Sequence, residues 1–102
     1  MSISNSFMAF SKEAPEQQKA WGEFIEKLDT SCKLDKKTEA LAYLAVLAAA
    51  RLEGGIPFHV KQAKKVGASR EEIISSILVG LPAVGNIVIQ ALPIALDRKS
   101  VV

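Results

Sequence analysis

The sequence predicts an all-α protein, a single-domain helical bundle that assembles into oligomers. Three observations lead there. Alanine is abundant, and no run alternates apolar with polar residues over strand length. Apolar residues recur instead at helical spacing, between recognisable helix caps. Hydrophobic residues make up 49% and charged residues 24%, a globular balance. Yet the apolar surface exceeds what 102 residues can hide in one chain, which points to a subunit interface. Such a length makes one domain, residues 1–102, read as an arm over 1–14 and a helical core over 15–97.

The arm is polar apart from Ile3, Phe7, Met8 and Phe10, and its phenylalanines are candidates for docking on the body. Pro15 suits a first helical turn, where its missing N–H has no partner to lose. Trp21, Phe24, Ile25 and Leu28 then fall at i, i+3, i+4 and i+7, one apolar stripe expected to pack in the core. This helix is expected to stop before Asp29-Thr30-Ser31. Asp35 is a good N-cap for the next helix. Every residue from Ala40 to Ala50 is apolar, so this helix is expected to be central and buried on all sides. Tyr43 lies in that run, and a structural hydrogen bond is the expected use of its hydroxyl.

Gly54-Gly55 is expected to break the central helix, and Pro57 to restart the chain. His59, the single histidine, then shares a helix face with Ala63 and Val66 and is expected to point inward. A helix N-terminus disfavours added positive charge, so the neutral imidazole is favoured there. Gly67 closes this helix, and Ser69-Arg70-Glu71-Glu72 reads as a capping box. From Ile73 to Leu96 there is no charged residue, long enough to span a bilayer. Pro82, Pro93, Gly80, Gly85, Asn86 and Gln90 argue against a span. Two helices are expected instead, one ending near Gly80 and one over roughly 87–96, with order ending at Asp97-Arg98-Lys99-Ser100.

Several function classes are disfavoured. Thirteen basic residues against 11 acidic ones leave a net charge of +2, too balanced to suggest nucleic acid. The cluster Lys61, Lys64, Lys65 and Arg70 reads as a solvated helix face. One histidine and one distant cysteine, Cys32, make no zinc site, and no cofactor motif is present. A lone cysteine closes no internal disulfide. Met1 to Phe10 lacks the basic start and apolar core of a secretory signal, so the cytoplasm is the expected compartment.

From Leu34 to Asp97 the chain resembles the carboxymuconolactone decarboxylase family, which includes the alkylhydroperoxidase D proteins. The carrying residues are Leu34-Asp35-Lys36-Lys37-Thr38, the Ala-rich run, and the stretch from His59 through Gly67-Ala68-Ser69 to Glu71-Glu72-Ile73. The resemblance implies an all-α fold in trimers or hexamers. In the peroxidase branch a glutamate precedes Cys-x-x-Cys, and a histidine follows. Anchored on His59, the cysteine positions fall on Leu52 and Gly55 and the glutamate position on Ala40. That cycle needs one thiolate to attack peroxide and a second thiol to resolve the product, so the resemblance does not extend to it. The decarboxylase branch needs no cysteine pair.

On that branch His59 is the candidate general base or acid, with Glu53 or Arg51 assisting, acting on a small organic acid, lactone or related carbonyl compound. The competing reading is a non-catalytic oligomer that kept the fold and lost the redox site. On it, Arg51 and Glu53 are a charge pair at a helix end, and His59 is satisfied by a neighbour.

Overall fold

The computed structural model describes residues 5–96. Ile3 of the arm and the expected end of order at Asp97 to Ser100 lie outside them. Every regular element among the described residues is helical. Contacts group the chain into two compact units that divide between Leu34 and Asp35.

The first unit holds α1 (Asn5–Glu13) and α2 (Pro15–Ser31). The expected arm is therefore largely a helix. Its Phe7 and Phe10 rings meet Trp21 of α2 edge-on, all three centroid pairs being 6.3 Å apart. Such edge-to-face pairs are favoured by the ring quadrupole. Pro15 occupies the first turn of α2, as expected. The helix runs past its expected stop because Thr30 and Ser31 donate their hydroxyls back to the carbonyls of Lys27 and Leu28. The stripe is not core, however. Trp21 is 49% exposed, and Phe24 and Leu28 more so.

The second unit is built on α3 (Lys36–Ala49), with α4 (Ile56–Lys65) and α5 (Arg70–Ile77) packed against it. Three short helices complete it: α6 (Leu81–Val84), α7 (Asn86–Ile89) and α8 (Leu92–Ala95). Leu44, Ile56, Val60, Ile73, Ile77 and Val88 form the sealed centre of the core. Asp35 caps α3 by accepting from the Thr38 N–H at 2.8 Å, and its carboxylate also accepts from the Thr38 hydroxyl. These bonds hold the Asp35 carboxyl below its ordinary pKa, the backbone one most strongly. The capping box is complete, Ser69 accepting from the Glu72 N–H and Glu72 from the Ser69 N–H.

Three expectations are corrected. First, α3 is not buried all round. Leu44, Leu47 and Ala48 are buried, whereas Tyr43 and Val46 face out, at 48% and 58% exposure. A uniformly apolar helix needs cover on every side, and the chain supplies it on one.

Second, the glycine pair does not end α3. The helix closes earlier, in a Schellman motif: the Leu52 N–H bonds the Leu47 carbonyl and the Arg51 N–H bonds that of Ala48. The residue in the left-handed position is Arg51, at φ 61°. Gly54 and Gly55 sit in the short 3₁₀ turn that follows, Glu53–Gly55. Gly67 ends α4 with the same pattern, at φ 100°.

Third, the charge-free tail holds three four-residue helices after α5, not one long one. Pro82 and Pro93 each stand in a first turn, so they start helices rather than end them. Gly85, at φ 68° and ψ −140°, separates α6 from α7 in a conformation that side chains resist. Among the described residues no helix is long and apolar enough to cross a membrane.

Candidate active site

The site grows out of the join between α3 and α4. The Schellman stop turns the chain at Arg51, the 3₁₀ turn carries Glu53, and Pro57 sets the first turn of α4. Two residues on, His59 is delivered. The buried face of α4 is Ile56, Val60 and Ala63, at i, i+4 and i+7. His59 neighbours that face without belonging to it, and Val66, its expected companion, is 40% exposed. The imidazole therefore lies at the rim of the core, partly buried, rather than pointing into it.

Two aromatic rings frame it. Tyr43 of α3 lies against the imidazole with centroids 4.5 Å apart and planes tilted by 51°. Phe58 meets it edge-on at 5.1 Å. Gly55 leaves room on a third side, where an added Cβ would sit 3.8 Å from His59 Cδ2 and from Leu47. Burial pushes the imidazole pKa below its ordinary value, since a charged ring loses hydration among apolar neighbours. The neutral ring is then the resting form at pH 7, with a lone pair ready to accept a proton.

Arg51 and Glu53 precede this ring on the connecting turn. Among the described residues no ion pair or hydrogen bond joins either of them to the other or to His59. Arg51 is exposed and Glu53 partly buried. The Tyr43 hydroxyl has no hydrogen-bond partner among the described residues, contrary to expectation. Its ring is instead a wall of the histidine site. That neighbourhood was not apparent from spacing, because Tyr43 and His59 meet only through the packing of α4 on α3. The one signal was an aromatic with a polar tip in a run of alanine, leucine and valine. Among the described residues no group of three histidine, cysteine or acidic side chains could hold a metal ion. Cys32 is a free thiol just beyond α2.

A concavity lies between α3 and α5 and does not include His59. It is an open groove of about 580 Å³, floored by Leu41, Ala42 and Ala45 and edged by Glu71.

The described residues make an all-helical fold, and comparison with known families places it. The model of the carboxymuconolactone decarboxylase family matches residues 15–97. The chain belongs to that family. No curated protein and no solved structure matches it significantly.

Proposed function

We infer that this chain is a cysteine-independent small-molecule enzyme of its family, moving a proton through His59 on a small organic acid, lactone or related carbonyl compound. The observation that carries this reading is the imidazole itself: partly buried, its pKa lowered by that burial, and set against Tyr43 and Phe58, each about half exposed. As a base its lone pair takes a proton from a carbon beside a carbonyl, and the C–H electrons move onto the carbonyl oxygen. The imidazolium then returns the proton. Arg51 is the candidate cation for a substrate carboxylate or the developing oxyanion, and Glu53 the candidate assisting carboxylate, though neither is bonded to His59 among the described residues. The working form is a homo-oligomer, a trimer or hexamer, which covers the apolar faces that the single chain leaves open.

A screen of lactones and unsaturated organic acids tests the activity. Wild type is expected to turn over at least one of them. His59→Ala is expected to lose the activity by about 10²–10⁴-fold, as removal of a general base does. Turnover that survives His59→Ala sinks the assignment.

A second reading is supported by the redox positions. Leu52, Gly55 and Ala40 stand where the peroxidase branch has its cysteines and glutamate, so only the histidine of that set remains. On this reading the chain is a non-catalytic oligomer. A clean His59-dependent turnover removes it. Peroxide reduction would have to rest on Cys32 alone, and an assay indifferent to Cys32→Ala ends that idea.

A further inference from the structure

We propose that the groove between α3 and α5 is a binding site, separate from His59, for an elongated apolar molecule carrying one cationic amine. At about 580 Å³ it has the size of a small-molecule site. It exists because small residues face each other across it, Ala42 and Ala45 from α3 and Ser75 and Ser76 from α5, while Leu41 and Val79 make it greasy.

The polar atoms on its walls settle which head group fits. The Thr38 hydroxyl is committed to Asp35, and the buried Ser76 hydroxyl donates to the Ile73 carbonyl at 3.0 Å. One Glu72 oxygen accepts from the Ser69 N–H, and the other from Lys37 Nζ at 2.9 Å. That leaves the Glu71 carboxylate and the Ser75 hydroxyl, which no side chain engages among the described residues. No basic residue lines the groove, and the nearby Lys37 is neutralised by Glu72. An anionic head would therefore meet carboxylates of its own sign. An ammonium finds one free carboxylate and one free hydroxyl, with its tail on leucine, alanine and valine.

Titration calorimetry on the full chain at pH 7, with octylammonium, octanoate and octanol as probes, tests this. Octylammonium is expected to bind saturably, one per chain, and at least tenfold tighter than octanoate. Its binding should weaken with added salt, as a surface charge pair does. Glu71→Gln should weaken it about three- to fivefold, the scale of one exposed ion pair, and leave octanol unchanged. Ala45→Leu fills the floor and should abolish binding of all three. Ser75→Leu, at an exposed position, does the same from the other wall should Ala45→Leu not fold. Equal binding of octanoate and octylammonium overturns the proposal, and so does binding unchanged in Ser75→Leu. Absence of saturable octylammonium binding also overturns it, and a fall in mass by light scattering in Ser75→Leu would then explain why. The groove's occupant would then be another copy of the chain.

Discussion

Arg51 holds the left-handed position at a helix end where glycine is the ordinary occupant. A side chain there costs on the order of 1 kcal/mol in backbone strain. Arg51→Gly is therefore expected to raise stability, by up to about 1 kcal/mol after the extra freedom of an unfolded glycine is counted. A chemical denaturation midpoint measures it. The same variant separates structure from chemistry: if Arg51 holds a substrate anion, the more stable protein is the slower one. His59 gives a second prediction at this scale. Its folded-state pKa lies below the unfolded value of 6.5, so the fold prefers the neutral ring. The resulting stability is fully present above pH 6.5 and declines as pH falls below it, levelling off beneath the folded pKa. His59→Gln should flatten the stability profile between pH 7 and 5. A variant whose melting temperature tracks wild type across that window refutes the desolvated ring.

At the scale of elements, the legible parts were those with purely local causes. Asp35, Ser69 with Glu72, Pro15 and Gly67 each start or stop a helix through bonds or dihedrals within a few residues, and each does so as read. The misread parts depend on distant packing. Arg51 is marked as a helix stop only by its backbone, whereas the glycines just beyond it are the residue type that usually ends a helix. The tail is divided at Pro82, Gly85 and Pro93, and its pieces pack on different helices, α7 on α3 and α8 on α4 and α5. His59 is legible as the single histidine at a helix start, but its contact with Tyr43 is not, because that pairing is tertiary. Two tests belong here. Ser69→Ala removes the cap of α5 and should cost about 1 kcal/mol. The carboxylates at the two caps, Asp35 and Glu72, both have lowered pKa values, from their backbone bonds first. Their contribution is present above the ordinary carboxylate pKa and is lost as pH falls through the folded values. Glu72→Gln, which removes one of these carboxylates, should therefore shallow the acid-side loss of helix seen by circular dichroism.

For the whole molecule, a few side chains carry the second unit. Leu44 is fully buried on the helix against which α4 and α5 pack, so Leu44→Ala is expected to cost about 2–5 kcal/mol. Against a typical domain stability of about 5–15 kcal/mol, that is on the order of a third of the total. The outer faces set the other prediction at this scale. Phe24, Leu28 and Val46 are each more than half exposed. If those faces are subunit contacts, Phe24→Glu or Val46→Lys should lower the mass seen by light scattering while helix content persists. A wild type that runs as a monomer at high concentration would refute the assembly. Such faces read as core in the sequence because a spacing rule reports that a surface is apolar, not which chain covers it.

The three four-residue helices after α5 are too short to hold themselves together. Residues 81–96 must therefore borrow their shape from the helices beneath them, and a peptide cut to that length should be a coil. In the intact protein their amide protons would exchange together, at a rate set by how firmly α3, α4 and α5 are joined. This stretch is then a built-in gauge: without touching the histidine, it registers any loosening of the scaffold that presents it.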